Sequence, residues 1–537
     1  YDFGYGIATD SNNNVYVTGA ASSPPAIIIA KYDSDGIIQW QRTLTSVNNN
    51  RGYGIACDSN NNVYVSGTAQ NIVSGYDLFI AKYDSDGIIQ WQRTFGGVNT
   101  DDQYYYYGLK SIAVHNNLLT VTGYTYTPNL PNSNALVLQV PTDGSGVGTY
   151  GDFTYAVATL TDQEATLTDQ AGTLIDQPST LPTGSGELVV SNNNYTNNLV
   201  PFQPGAGVKE FQFTANGILI FPDGSQQSTA GSGLGNLTVS NVTITPNAND
   251  MPVIISTQQT YQPWWYTIYG DLGVEVNDDY GSSVAYDNNG NIYMIGSDGN
   301  AGLINFLVKY DPQGNMVWQK NFTDTNGYKD AASVATDSSG NIYVVINIDD
   351  TESAIITAKL DSNADIVWQQ TLNGVSYDFG VDLTVDTNGN VYVVGATTSQ
   401  GEGGYELIIA KYDNNGLIQW QRTLGGVSSD YGFSITNDNN NVYIVGYTAS
   451  QGEGSYNLLT VKYDSDGIIQ WQRLLGNISG GADGEGITTD SNGNVYVTGT
   501  TDSQGAGSYD AIIVKYDNDG VIQWQRLLGG VSTDAGV

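Results

Sequence analysis

Lys31-Tyr-Asp-Ser-Asp-Gly-Ile-Ile-Gln-Trp-Gln-Arg-Thr43 recurs unchanged at Lys82–Thr94, and again, before diverging, at Lys462–Arg473. Within it Ile38, Trp40, Arg42 and Leu44 share one side of an extended chain, with Gln39, Gln41 and Thr43 on the other, the period of a β-strand. Outward from this stretch each unit reads as four short strands, in the first unit a (Tyr5–Thr9), b (Val15–Thr18), c (Ile27–Tyr32) and d (Ile37–Leu44). All are rich in the Val, Ile, Tyr and Thr that suit a pleated surface. Asp10-Ser-Asn-Asn-Asn14 between a and b, and Asp33-Ser-Asp-Gly36 between c and d, are turn sequences, and both recur down the chain. Asp closes such a turn through its side chain, and Gly or Asn accepts the left-handed residue.

The period follows from tryptophan. Trp40 and Trp91 lie 51 residues apart, and Trp318, Trp368, Trp420, Trp471 and Trp524 follow one another at 50, 52, 51 and 53. Four-stranded units of this length are propeller blades. Units begin near residues 1, 51, 104, 273, 328, 377, 429 and 482. The expected fold is therefore all-β: a β-propeller of about eight four-stranded blades, with a seven-bladed ring plus one outlying unit as the alternative. The third unit loses its Trp after Thr142-Asp-Gly144, and its strand d returns at Trp264–Gly270. The chain thus divides into blades 1–3 at 1–144, an insert at 145–262, and the rest of blade 3 with blades 4–8 at 263–537.

The insert opens with a seven-residue repeat, Thr159-Leu-Thr-Asp-Gln163, Thr166-Leu-Thr-Asp-Gln170 and Thr173-Leu-Ile-Asp-Gln177. One leucine per heptad makes a poor coiled coil, so an extended or marginally helical stalk is expected. A hairpin about Asn216-Gly217 and an alternating strand at Leu237–Thr245 complete a β-rich fibre-like module. The stalk reading implies that the propeller folds without residues 145–262.

Charge excludes several roles. The chain has 537 residues with 17 Lys+Arg against 54 Asp+Glu, a net −37. Such a surface repels phosphate backbones and anionic lipid. Cys57 is the only cysteine, so no internal disulfide forms, and it reads as a small strand residue. No apolar run is long enough to span a bilayer. The chain begins and ends inside the repeat, so a segment of a longer or processed protein is expected.

Chemistry is sparse. Asp-x-Asn-x-Asn in the a–b turns is the first half of a calcium loop, but the closing Glu is missing; hairpin turns are expected, with calcium as the minor alternative and no cofactor. His115, the only histidine, reads as a solvated a–b turn residue rather than a triad member. A carboxylate pair for glycoside hydrolysis would show as acids breaking the repeat, and none is picked out. The repeated Trp and Tyr read as packing between blades rather than sugar platforms. The b–c loops vary most. They carry Gln400, Glu402 and Tyr405, then Gln451, Glu453 and Tyr456, then Gln504 and Tyr509, with Tyr76, Tyr124 and Tyr126 in the earlier blades. In an up-and-down blade these loops share one rim with the d–a connections. Loops on a rigid scaffold commonly carry binding, so these eleven residues are the candidate binding face, against simple tolerance of loop variation.

Strand b, Asn-Val-Tyr-Val-x-Gly, and the Trp-Gln pair of strand d resemble the seven-bladed-propeller-type bacterial repeat over about 400 residues. Phe221-Pro-Asp-Gly-Ser-Gln-Gln-Ser-Thr-Ala230, with the heptads, resembles segments of marine cyanophage virion structural and tail-fibre proteins. The resemblance implies a non-enzymatic virion surface or tail-fibre component, homo-oligomeric through the insert, whose propeller supports assembly or binds a host-surface glycan or receptor. Other virion or appendage proteins and host polysaccharide are the implied partners, and nucleic acid and membrane insertion are not. The alternatives are a secreted or cell-surface bacterial adhesion propeller and a polysaccharide-degrading enzyme.

Overall fold

The computed structural model describes residues 2–22, 25–45, 50–71, 75–97, 111–115, 117–126, 133–145, 147–150, 153–158, 161–164, 168–171, 175–178, 183–184, 189–191, 197–199, 212–213, 219–220, 226–227, 237–239, 242–244, 265–269, 280–298, 304–322, 328–349, 353–373, 376–400, 403–452, 455–476, 480–502 and 509–529. The structure is an all-β propeller of eight four-stranded antiparallel blades. The seven-bladed alternative falls, because all eight units take places in one ring. Blade 1 is Asp2–Thr9, Val15–Ser22, Pro25–Tyr32 and Ile38–Thr45. In blade 3, Ser111–His115, Leu118–Tyr126 and Ser133–Pro141 are completed by Trp265–Tyr269. Strand a of the other blades is Arg51–Cys57, Tyr280–Tyr286, Tyr328–Thr336, Asp378–Val385, Asp430–Asn437 and Ala482–Thr489. Each strand a abuts that of the next blade, and that of blade 8 abuts that of blade 1, so eight inner strands close around the axis. Strands b and c are buried on both faces, as in Val391–Thr397 and Glu406–Tyr412, because every blade is sandwiched between two others.

The blades are joined by one repeated clasp. In blade 1, Trp40 Nε1 and Lys31 Nζ both donate to the Ser85 carbonyl, at 3.1 and 2.8 Å, and Arg42 Nε donates to the Gly87 carbonyl at 2.8 Å. Ser85 and Gly87 belong to the c–d turn of blade 2. The same clasp closes the ring, with Trp524 and Lys515 on the Ser34 carbonyl and Arg526 on that of Gly36. The indoles lie over a positive-φ turn residue, a glycine in most blades and Ala364 in the turn that Trp318 grips. Gly36, Gly87, Gly416, Gly467 and Gly520 all have positive φ, and a Cβ there would enter the ring of Trp524, Trp40, Trp368, Trp420 or Trp471 respectively. The expectation that the repeated Trp and Tyr pack between blades therefore holds.

The turn aspartates are spent on the turns. Asp10 Oδ1 accepts from the backbone N–H of Asn12 and Asn14, and its Oδ2 from Asn14 Nδ2 and the buried Tyr16 hydroxyl. Asp490, Asn494 and Tyr496 repeat this in blade 8. Blade 3 departs. Thr120 and Gln139 pair where Tyr16 and Lys31 pair in blade 1. The vacated space is filled from blade 4 by Tyr286, whose hydroxyl donates to Thr120 Oγ1. His115 is not a solvated turn residue: it ends strand a, half-buried, its ring stacked on Tyr286 at 5.3 Å.

The stalk expectation is overturned. The heptads form strands, and the strands lie on the propeller. Gly148–Tyr150 and Phe153–Val157 form a hairpin whose second strand pairs with strand d of blade 2. Thr161–Glu164 then pairs with strand d of blade 1, Thr168–Ala171 with blade 8, Ile175–Pro178 with blade 7, Thr183–Gly184 with blade 6, Val189–Ser191 with blade 5 and Asn197–Leu199 with blade 4. Each heptad advances one blade in constant register, with Asp162, Asp169 and Asp176 opposite Leu44, Leu528 and Leu475. The outermost strands offered a row of unpaired backbone groups, and Thr-rich segments too poor in leucine for a coiled coil satisfy them as a belt. Residues 200–263 form a second compact unit. It holds a three-stranded sheet of Gln212–Phe213, Leu219–Ile220 and Gln226–Gln227, and a pair Leu237–Val239 with Val242–Ile244. The stretch expected as one alternating strand thus holds two paired strands.

The clasp predicts a graded cost. Trp471→Ala should destabilise the ring by about 3–5 kcal/mol. Gly520→Ala, with positive φ under the Trp471 ring, should cost more than Gly493→Ala, which has positive φ but nothing closer than 3.8 Å and bears only the backbone penalty of about 1–2 kcal/mol. Urea unfolding midpoints of the three variants test this order.

Candidate functional site

Strand a carries a bulge in blades 1, 2 and 4–8, and the bulge is what builds the site. In blade 8 the register shifts between Gly484 and Gly486, leaving Glu485 as the extra residue. Strand b must then pass against the carbonyl of the residue before the bulge: a Cβ on Gly499 would collide with that of Asp483, which explains the glycine of Val-x-Gly. A bulge re-aims its side chain. The extra residues are Tyr5, Tyr53 and Phe433 in blades 1, 2 and 7. Just before the bulge stand Phe3, Phe379 and Tyr431 in blades 1, 6 and 7.

These rings form two half-buried rows at the inner ring. On one flank Phe379 meets Tyr405 at 5.7 Å, Tyr405 meets Tyr431 at 5.0 Å, Tyr431 meets Phe433 and Tyr447 at 6.1 and 5.0 Å, and Tyr447 meets Tyr456 at 5.7 Å. On the other, Tyr509 stacks on Phe3 at 5.8 Å, Phe3 on Tyr5 at 5.8 Å, and Tyr5 lies 5.3 Å from Tyr53. The rows meet where Tyr456 hydrogen-bonds Tyr509, and on strand a of blade 8 acids replace rings: Asp483 stands where Phe3, Phe379 and Tyr431 stand, and Glu485 where Tyr5, Tyr53 and Phe433 stand.

The electrostatics follow from that placement. Burial pushes the Asp483 carboxyl up to about 6, aided by nearby Asp502 and opposed by the backbone N–H of Thr500. Glu485 keeps contact with solvent, yet the protein crowding it, and then Asp483, push it up to about 7. Tyr5 is pushed up to about 12 by burial, and Glu485 and Asp483 add to this while Arg51 opposes it. Tyr447 is pushed up to about 12 by burial, with Tyr431, Asp430 and Asp483 adding to it. Tyr456 is raised by burial, then by Asp483 and Tyr509. Asp483 thus stands within the field of rings from both flanks. An array of aromatic faces around two hydrogen-bond-accepting carboxylates can hold a ligand with apolar faces and hydroxyl or amino edges.

The loop residues expected to form a binding face divide. Tyr405, Tyr456 and Tyr509 come together in these rows. Their loops are held by strand a: Ser399 Oγ donates to Asp378 Oδ2 at 2.8 Å, and Ser450 Oγ to Asp430 Oδ2 at 2.6 Å. Gln400 and Gln451 are half-buried in the bends that follow, and the Gln451 carbonyl accepts from Asn457 Nδ2 at 2.8 Å. Tyr76 lies in strand c of blade 2 opposite Gln70, and Tyr124 and Tyr126 in strand b of blade 3 opposite Ala135 and Ser133; their side chains, like Glu402, Glu453 and Gln504, lie outside the described residues. Sequence reading missed Asp483 and Glu485. The signal was present, because aligning strands a on the bulge glycines shows two acids at aromatic positions. A third repeat-breaking acid, Asp382, is otherwise engaged: it accepts from Ser333 Oγ, Ser434 Oγ and the N–H of Leu383 and Ile435, tying blades 5, 6 and 7. Among the described residues no three His, Cys, Asp or Glu side chains gather as a metal-ion group.

Comparison with known proteins identifies the repeat. A family model described as a beta-propeller repeat matches residues 1–24, 367–401 and 470–505. An uncharacterized WD repeat-containing protein of Acanthamoeba polyphaga mimivirus is 29% identical over 140 residues, 19% of this chain and 10% of that protein. The match therefore spans about a tenth of that relative's length. Among solved structures, a Synechocystis apocarotenoid oxygenase mutant aligns at 10% identity and a TM-score of 0.33, covering 77% of this chain and 90% of that one. Pseudomonas brassicacearum lignostilbene dioxygenase aligns at 12% and 0.31, covering 47% and 63%. The repeat model thus matches stretches in blades 1, 5, 6, 7 and 8 of an eight-bladed propeller.

The raised carboxyls make a pH prediction. A group whose folded pKa exceeds its unfolded value binds protons more tightly in the folded state, so its contribution is intact at low pH and lost as pH rises towards the folded pKa. Asp483 and Glu485 should therefore erode stability between about pH 4 and 7. D483N/E485Q should melt closer to wild type at pH 4.5 and higher than wild type at pH 8, as read by differential scanning fluorimetry.

Proposed function

We propose that the propeller is the binding head of a virion surface or tail-fibre protein, and that its aromatic, acid-centred mouth takes a host-surface glycan without turning it over. The observation that carries this is the pair of aromatic rows bracketing Asp483 and Glu485. Sugar rings present C–H faces that stack on half-exposed aromatic rings and hydroxyl edges that donate to carboxylates. The cyanophage-like insert and the viral source of the WD-repeat relative support the virion setting. In this reading the unit at residues 200–263 carries assembly contacts with other copies or appendage proteins, no cofactor takes part, and nucleic acid is not a partner.

A second reading has a specific observation behind it. Two carboxyls, one held protonated near neutrality, are the equipment of a glycoside hydrolase. Those enzymes place their carboxyls on opposite sides of the bond, whereas Asp483 and Glu485 lie two residues apart on one strand, which favours recognition over cleavage.

Binding to a panel of soluble host-surface polysaccharides tests the first reading. Tyr431→Ala and Tyr456→Ala should each weaken binding at least tenfold, about 1.4 kcal/mol, with no release of reducing ends. Failure of every glycan to bind would overturn it, and reducing ends lost in D483N/E485Q would favour the enzyme.

A further inference from the structure

Blade 8 offers the inner ring a negative charge that the protein leaves unbalanced. At the two strand-a positions that build the site, blades 1, 2, 6 and 7 carry Phe3 and Tyr5, Arg51 and Tyr53, Phe379 and Val381, and Tyr431 and Phe433, whereas blade 8 carries Asp483 and Glu485. Among the described residues neither carboxyl has an ion-pair partner, the one pair being Lys320–Asp365. Asp483 Oδ1 is buried and accepts no hydrogen bond from the protein. Arg51 acts on Tyr5, while the charges acting on Asp483 and Glu485 are those of Asp502 and Asp483, both negative. Around them stand Tyr5, Tyr447 and Tyr456, each within the field of Asp483. A tyrosine face attracts a cation. A carboxylate with no partner does so more strongly, and the net −37 of the chain draws cations to the surface.

We infer that the mouth selects an amino sugar whose nitrogen is free and positively charged, with the ammonium at Asp483 and Glu485 and the sugar ring on the tyrosines. The inference rests on the glycan reading above and narrows it to one chemical class. An ammonium carries a full charge and three N–H donors, so a single group balances two carboxyls that each make ionisation of the other harder. An N-acetylated sugar keeps the same apolar face but offers one neutral N–H, so it retains the stacking without the ion pair. A uronic or sialic acid would bring a further negative charge to the pair and is rejected. Glu485 is exposed and Asp483 half-buried, so the first is reached from solvent directly and the second attracts through a less hydrated medium, where charge acts more strongly. Affinity for sugars in general then lies in the aromatic rows, and the choice among sugars lies in blade 8.

Two probes that differ only at nitrogen test this: chitotriose carrying one free amine, and its fully N-acetylated form, each titrated calorimetrically into the full chain at low salt near pH 6. Wild type should bind the free amine at least tenfold more tightly than the N-acetylated sugar. That preference should fall to within twofold in D483N/E485Q, and by at least threefold in E485Q alone, a change at an exposed position. D35N/D466N removes two exposed carboxylates from the c–d turns of blades 1 and 7 and should keep the preference. Equal binding of the two sugars, tighter binding of the N-acetylated form, or no binding of either would overturn the inference. So would a preference that survives in either blade 8 variant, or one that fades equally in D35N/D466N and so reports attraction to the acidic surface at large. The glycan reading fails separately, when no polysaccharide of the panel binds.

Discussion

Everything in this molecule rests on a tryptophan lying over a glycine of the neighbouring blade. The indole donates to a turn carbonyl, the lysine of strand c donates to the same oxygen, and the arginine of strand d takes the carbonyl two residues on, as Trp471, Lys462 and Arg473 do with Asn518 and Gly520. The turn residue beneath the indole has positive φ, and it is glycine in most clasps and Ala364 in the one made by Trp318. A blade that grips in this way must meet a partner displaced by one repeat, and repetition of that displacement closes on itself after eight.

The clasp also occupies most of the chain's cations. Twelve of the seventeen Lys and Arg donate to backbone carbonyls of an adjacent blade. The lysines among them lie over the tyrosine rings of strand b, as Lys31 does over Tyr16 at 5.4 Å. Cations used as mortar are not available to neutralise carboxylates, and Lys320–Asp365 at 3.7 Å is the one ion pair among the described residues. The net −37 itself is set by composition, 17 Lys+Arg against 54 Asp+Glu. In that setting Asp483 and Glu485 differ from the turn aspartates: the turn residues are surrounded by N–H and hydroxyl donors, whereas burial is the first influence on both of the inner pair, with Asp483 adding to it at Glu485.

The blades were legible in the sequence because each obeys one local rule of strand alternation and turn chemistry, and because a fifty-residue repeat multiplies a weak signal. Tyr405, Tyr456 and Tyr509 were legible as loop residues of unusual type. Three things were not. The bulge in strand a leaves little mark beyond small residues at its ends, glycine at both in blades 1, 2 and 8, so Phe3, Tyr431, Asp483 and Glu485 emerge only when the strands are aligned on those positions. His115 looked like a turn residue because blade 3 has a shortened a–b turn, and its stacking depends on Tyr286 of the next blade, 171 residues further along the chain. The heptads were read for their period about a helix axis, when the period that mattered was the spacing of blade edges. A polar segment with no core of its own can still be ordered by pairing with edges the rest of the chain supplies.

That last point has a consequence for synthesis. Residues 161–199 leave the ribosome before blades 4–8 exist, yet five of the six blade edges they cover belong to those blades. Beyond Glu164 the belt must therefore wait for its edges while more than three hundred further residues are made. A waiting segment with strong β-propensity and an apolar face would invite association with other nascent chains. Thr-Asp-Gln repeats, weakly apolar and negatively charged in every heptad, are a composition that tolerates the delay, and the final ring can assemble only after its last blade has been released from the ribosome.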